Sequence, residues 1–408
     1  APGYGGDAGR AYVFYADNEL ASTAGGADVT IDAETAGDEL GYDIALGDVN
    51  GDGTDDIILG APGYASSAGR AYVFFGGSLG ASLAAGSDAD VAITGEAAND
   101  RFGLVLEAGE MSGDATEDAA IGAPGYAGST GRAYVFFGGG WSSTLAATDA
   151  DTILTGESAG DEFGYALATG DVDRDGFSDF CISAPEYSGG TGKVYVYYGN
   201  GSGLTTTAGV HLSGESSGDR FGSALLIEEL TGDGDLDVVA GAPGYETTTG
   251  RVYVFSGIVG AGMSLVAGAD EDAVITGIGT GGNFGEVMDT ADRNGDGLQD
   301  LVVGASTFSA NTGNAYEFYN DGVYPDNAAD ADARLIGGNT NHYYGWDIAS
   351  GDIDGDGIDD LLVGATGVNS RAGRVNIIYS EVYAAGSTDG DYVKTKGDLK
   401  FKGTVKMK

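Results

Sequence analysis

A six-residue phrase recurs along the chain at near-constant spacing, and this recurrence restricts the fold more than any other feature. GRAYVF stands at 9–14, 69–74 and 131–136, and GKVYVY, GRVYVF, GNAYEF and GRVNII follow at 192–197, 250–255, 313–318 and 373–378. Successive copies begin 58 to 63 residues apart. A second phrase, an aromatic or Leu followed by Gly, ends at Gly41, Gly103, Gly164, Gly222, Gly285 and Gly345. A third, GAP, lies at 60–62, 122–124 and 241–243, with SAP, GAS and GAT as variants. Length alone, 408 residues, would suggest two or three domains. Three phrases held in one order describe instead a single array of about 60-residue units.

Each unit reads as four short strands. In the unit at 41–96 these are YDIALGD, DIILGAP, GRAYVFFG and DVAITGE, period-two or β-branched runs bounded by Gly, Pro, Asn and Asp. No segment shows the 3.6-residue apolar spacing of a helix. Units of this kind fall near 41–96, 103–157, 164–215, 222–277, 285–337 and 345–398. Such an array predicts an all-β, seven-bladed β-propeller spanning 1–391. A flat solenoid would need polar capping repeats, and neither end resembles one. The closing blade is expected to join residues 1–34 with the terminal segment 392–408, removing an open sheet edge. Within that arrangement 384–398 resembles 84–96 and fills a fourth-strand position.

Composition narrows function. There are 63 acids against 18 bases, a net charge of −45. That charge repels nucleic-acid phosphates and anionic membrane surfaces. No run approaches 18 apolar residues, so insertion into a bilayer is not expected. Cys181 is the single cysteine, which excludes an intrachain disulfide framework and a Cys-based zinc site. The chain opens on Ala1, as a processed product or a piece of a longer protein would.

The acids are concentrated in loops between strands one and two. DVNGDGTDD (48–56), DVDRDGFSD (171–179), DRNGDGLQD (292–300) and DIDGDGIDD (352–360) place oxygens at positions 1, 3, 5 and 9, with Gly at position 6. The side-chain candidates are Asp48, Asn50, Asp52 and Asp56, then Asp171, Asp173, Asp175 and Asp179. Asp292, Asn294, Asp296 and Asp300 follow, and lastly Asp352, Asp354, Asp356 and Asp360. The backbone carbonyls of Thr54, Phe177, Leu298 and Ile358 add an oxygen at position 7. A hard cation such as Ca²⁺ takes six to eight oxygens, and this set supplies most of them. It is not an EF-hand, which closes on Glu at position 12 between helices. Without a cation, carboxylates so crowded repel one another. The expectation is about four strong Ca²⁺ sites. A weaker one is expected at Glu229, Thr231, Asp233, Asp235 and Asp237, and a degenerate loop at 110–118, where Ala115 replaces the position-6 Gly.

The order of F-G, DxDxDGxxD, GAP and YVF resembles the FG-GAP repeat of integrin α-subunit propellers and of related bacterial surface proteins. The resemblance covers about residues 1–391. It implies seven blades, calcium in the hairpins on one face, and ligands on the other. Carried over, the ligand face holds Tyr4, Tyr64, Tyr126, Tyr187 and Tyr245, with Asp38, Asp100, Asp161, Asp219 and His342. The function implied is an extracellular or cell-surface, non-catalytic adhesion propeller with a protein or glycan ligand. The alternatives are a structural subunit of a surface assembly, and a lectin or an accessory domain of a carbohydrate-active enzyme.

Other features carry less. Arg10, Arg70, Arg132, Lys193, Arg251 and Arg374 share one repeat position and read as structural ion pairs, with Asp38, Asp100, Asp161 and Asp219 as candidate partners. GGSLG (76–80) matches a nucleophile motif but lacks the strand-turn-helix setting. With only His211 and His342, a catalytic triad is not expected. Asn200 begins a glycosylation sequon. Six of seven lysines lie within the last fifteen residues. This segment, 392–408, is expected to close the fold or to be exchanged between copies by strand addition.

Overall fold

The computed structural model describes residues 1–15, 23–258, 262–368, 373–380 and 405–406. They divide into two compact units. The first comprises Ala1–Phe14, Ala27–Ile227 and Gly257–Val266; the second comprises Tyr15–Gly26, Glu228–Ser256 and Ala267–Lys408.

One kind of sheet builds the first unit. Ile44–Gly47, Asp56–Ala61, Arg70–Phe74 and Val91–Thr94 pair antiparallel in chain order. The pattern repeats at Val105–Gly109, Asp118–Ala123, Arg132–Phe136 and Thr152–Thr155. It repeats again at Leu167–Gly170, Asp179–Ala184, Lys193–Tyr197 and Val210–Ser213. Arg10–Val13 and Val29–Asp32 supply strands three and four of a further sheet. In the second unit Asp237–Ala242, Arg251–Phe255 and Ala273–Thr276 pair in the same way. So do Met288–Ala291, Asp300–Ala305, Asn314–Phe318 and Ala333–Ile336, and then Tyr344–Gly351, Asp360–Ala365 and Arg374–Ile378. The sheets are propeller blades, and the fold class is an all-β, seven-bladed β-propeller. The only helical segments among the described residues are three- and four-residue turns.

The repeated phrases have a steric origin. Gly69 stands at φ +85°, and a Cβ there would lie 2.0 Å from the Phe102 carbonyl oxygen. Gly60, of GAP, would place a Cβ 2.1 Å from the carbonyl oxygen of Gly103. The F-G phrase of one repeat therefore packs backbone to backbone on the GAP and GR phrases of the repeat before it, and only Gly permits this approach. The F-G aromatic is fully buried. Phe102 meets Tyr134 edge-on at 5.3 Å and Phe163 meets Tyr195 at 5.2 Å. Each such ring contributes about 1.5–3 kcal/mol by leaving water.

Two expectations are corrected here. Four strands per blade are not the whole pairing in the first unit. Ser82–Ala84, Thr144–Ala146 and Met263–Val266 each add a parallel strand to strand four of the blade before, at Val29–Asp32, Val91–Thr94 and Val210–Ser213. Through Ser82–Ala84 and Thr144–Ala146, consecutive blades of that unit are laced by backbone as well as by side chains. The second correction concerns the tail. Val405–Lys406 pairs antiparallel with Arg374–Ile378, in the fourth-strand position of the last blade. For Val405–Lys406 this replaces the pairing expected beside 9–15 and 28–34, and the rest of 392–408 lies outside the described residues. The proposed fourth strand at 384–398 lies outside the described residues.

Candidate metal centre

The acidic hairpins owe their shape to their first residue. Asp48 accepts from the backbone N–H groups of Gly51 and Asp52 through Oδ1, at 2.9 Å each, and from Gly53 through Oδ2 at 2.7 Å. Asp171, Asp292 and Asp352 wrap their loops in the same manner. The turn this enforces draws the side chains at positions 3 and 5 toward position 1. In two loops the result meets a metric condition. The ligating oxygens of Asp171, Asp173 and Asp175 lie within 4.8 Å of one another, and so do those of Asp352, Asp354 and Asp356. Oxygens about 2.4 Å from a shared Ca²⁺ can be at most about 4.8 Å apart, and both sets stay within that limit. In the loops 48–56 and 292–300 an amide stands at position 3. Asn50 donates through Nδ2 to Asp56 Oδ1 at 3.0 Å, and Asn294 accepts through Oδ1 from Asp296 N–H at 2.9 Å.

The carboxylate at position 9 has a structural duty that the sequence did not reveal. Asp56, Asp118, Asp179, Asp237, Asp300 and Asp360 are all fully buried. Asp179 accepts from Val172 N–H at 2.9 Å within its loop, and from Gly199 N–H at 2.8 Å just beyond strand three. The same reach of 20 residues joins Asp56 to Gly76, Asp118 to Gly138, Asp300 to Asn320 and Asp360 to Ser380. The residue therefore clamps the hairpin to the adjoining strand, whether or not its loop retains the other ligands. Burial pushes Asp179 up to about 7, against the lowering effect of its N–H donors, and Asp118, Asp237 and Asp300 up to about 6. A cation would oppose this by favouring the charged form.

The eroded loops keep the frame and lose ligands. Glu110 replaces the position-1 Asp and still accepts from Asp114 N–H at 3.2 Å. Ala115 occupies the turn at φ +73°, where an L side chain is strained. At 229–237, Glu229 accepts from Gly232 N–H at 2.6 Å, Asp233 accepts from Asp235 N–H, and Thr231 donates to Asp237 Oδ1 at 3.3 Å.

The predicted ligand-face residues have other occupations. Arg70, Arg132 and Arg251 lie 3.8, 3.7 and 3.6 Å over the rings of Tyr64, Tyr126 and Tyr245, and Lys193 lies 4.8 Å over Tyr187. One face of each ring is thus covered by a cation. Arg70, Arg132 and Lys193 do not pair with Asp38, Asp100 or Asp161. Arg70, Arg132 and Lys193 pair with Glu34, Glu96 and Glu157 at 2.8, 2.6 and 2.6 Å, where each Glu also accepts from the Tyr72, Tyr134 or Tyr195 hydroxyl. Asp38, Asp100, Asp161 and Asp219 instead accept backbone N–H bonds from Thr35, Ala97, Ser158 and Ser216, three residues back, and close their own turns. The partner Glu stands two residues past strand four of the preceding blade, after Ala33, Gly95 or Gly156. The recurring GE pair at 95–96 and its counterparts was the signal that could have found it.

With blades and hairpins in place, the class is that of a repeat propeller carrying acidic hairpin loops, and those repeats match the FG-GAP repeat over 40–74, 163–197, 221–255 and 344–378. Among curated proteins, integrin alpha-5 of Xenopus laevis is 32% identical over 223 residues, covering 50% of this chain and 20% of that protein. Phosphatidylinositol-glycan-specific phospholipase D of Rattus norvegicus is 32% identical over 156 residues, covering 35% and 18%. The chain thus spans about a fifth of the length of these relatives. Among solved structures, the Dos1 propeller aligns with a TM-score of 0.49 at 13% identity, over 98% of this chain and 76% of that one. No helix among the described residues is long and apolar enough to cross a membrane.

Proposed function

We propose that this chain is an extracellular, non-catalytic adhesion propeller whose hairpin loops hold structural Ca²⁺. The observation carrying the reading is the pair of triads Asp171, Asp173, Asp175 and Asp352, Asp354, Asp356, each sized for one cation at the same place in its repeat. The likeness to integrin alpha-5 over half the chain supports the adhesion part. Bound calcium would offset two negative charges in each hairpin and fix its loop. The chain's own carboxylates and backbone carbonyls would supply the shell. A protein ligand is favoured over a glycan, because a cation takes up one face of each repeated tyrosine and leaves less ring surface for stacking on a sugar. Binding to arrays of immobilised extracellular proteins and of glycans, with calcium and with chelator, tests this. Calcium-dependent retention by a protein is the expected outcome. A folded, calcium-loaded chain that binds no protein on the array overturns it.

A second reading, assembly through the tail, draws on the pairing of Val405–Lys406 with Arg374–Ile378. A neighbouring copy's tail could fill the same position by strand addition. Light scattering on the full chain and on one ending at 391 distinguishes the two, since assembly predicts an oligomer that the shorter chain loses.

A further inference from the structure

Within the second unit a cavity of about 540 Å³ opens between the loop at 231, the segment 271–274 and the turn 322–326. Its lining includes Thr231, Glu271, Asp272, Val274, Tyr324 and Asp326. Two polar atoms there are buried without a hydrogen-bond partner: Glu271 Oε2 and the Tyr324 hydroxyl. Tyr324 as a whole is only 9% exposed. Leaving such groups unsatisfied is costly, so their presence together in one cavity points to an absent partner.

The position is also out of pattern. At the turn following strand three, three of the other blades carry Leu79, Trp141 and Leu204. Leu79 and Leu204 have no polar side-chain atom, and the indole N–H of Trp141 is already bonded to the Phe137 carbonyl. Tyr324 instead brings a hydroxyl to this place. The repeat does not require it, and packing alone would be served by Leu.

We propose that this cavity binds a primary ammonium or guanidinium group carried on an apolar stem. Glu271 Oε2 and the Tyr324 oxygen accept from the cation, while Asp272 and Asp326, both exposed, add attraction at longer range. Val274 and the Tyr324 ring receive the stem, and the ring face favours a cation in addition. A calcium ion suits the cavity poorly. It takes six to eight oxygens at about 2.3–2.6 Å, whereas this space falls within the size range of organic-ligand pockets and part of its wall is apolar.

The test is calorimetric titration of the full chain in saturating calcium, so that hairpin sites are already filled. Putrescine is the first probe and acetyl-Gly-Lys-Gly-amide the second. The variants are Tyr324→Phe, which removes only the hydroxyl, and Glu271→Gln, which removes only charge. Saturable binding, weakened about five- to tenfold by each variant at an unchanged unfolding midpoint, is the expected result. Binding of putrescine alone assigns the site to a free polyamine, and binding of the peptide assigns it to a partner's lysine side chain. Equal binding to wild type and to both variants would be general attraction to a polyanion and overturns the proposal. So does binding of neither probe.

Discussion

Single residues carry the exceptions to the repeat, and two of them have measurable consequences. Ala115 holds the φ +73° position that Gly occupies at 53, 176, 297 and 357. Ala115→Gly relieves left-handed strain and regains some unfolded-chain entropy. The net expectation is a gain of about 0.5–1 kcal/mol in urea unfolding, with no effect of calcium on the difference. Glu107 is the second case. It lies on the strand Val105–Gly109, and burial pushes it up to about 7, with Asp43 nearby adding to the rise and the Thr169 hydroxyl at 3.2 Å opposing it. A carboxyl raised in the folded state favours folding while it is protonated in both states. Its support is complete below the unfolded value near 4.5 and is lost as pH rises to about 7. Glu107→Gln should remove up to about 2–3 kcal/mol of that pH dependence, read as a flatter unfolding midpoint between those limits. A midpoint curve unchanged by the substitution contradicts this. Neither residue was legible for its role in the sequence. Ala115 showed only as a missing Gly, and the burial of Glu107 follows from neighbours 62 residues away in the chain, which no local pattern encodes.

At the scale of elements, the four principal strands of a blade were legible because alternation and Gly or Pro stops are local signals. The hairpins were legible because their oxygens sit within nine residues of each other. The parallel fifth strand was not. Ser82–Ala84 and Thr144–Ala146 are three residues long and acquire strand geometry only from a partner in the preceding blade. Leu145, opposite Ile93 in that pairing, packs against the core of its unit. Leu145→Ala should cost about 1–2 kcal/mol, at the low end for a core leucine because the side chain is only partly buried. The hairpins permit a sharper separation of roles. Asp356→Asn keeps the acceptor that Ile358 N–H uses and removes a charge. It should leave the chelated protein unchanged and take away one site's calcium stabilisation, about 0.4–1.4 kcal/mol at millimolar calcium. Asp118→Ala removes a buried clamp bonded to Met111 and Gly138 N–H groups, and should cost about 1–3 kcal/mol with or without calcium. Paired thermal melts in calcium and in chelator read both. Equal calcium dependence in the two variants would mean that clamp and ligand are not separable.

For the whole molecule, surplus negative charge governs how stability is expected to respond to salt. Residues 1–391 carry about −50, since the last seventeen residues hold six lysines and one aspartate and so contribute +5 to the total of −45. Two electrostatic effects then compete as salt is added. Screening weakens attractive pairs such as Arg132 with Glu96, whose side chains are each 22% exposed, and it lowers calcium affinity. It also weakens repulsion among carboxylates across the whole surface. With 63 acids against 18 bases, repulsive pairs greatly outnumber attractive ones. If calcium is kept saturating, the loss of affinity does not register, and partly exposed ion pairs contribute little to begin with. Relief of repulsion should therefore prevail. The unfolding midpoint is expected to rise by a few degrees as NaCl goes from about 0.05 to about 1 M, over which the Debye length shrinks from more than 10 Å to about 3 Å. Most of the rise should fall in the lower half of that range. An uncharged osmolyte would give no such early curvature, which separates screening from solvent exclusion. A midpoint that falls with NaCl in saturating calcium would show that paired charges, not surplus carboxylates, govern the stability of the chain.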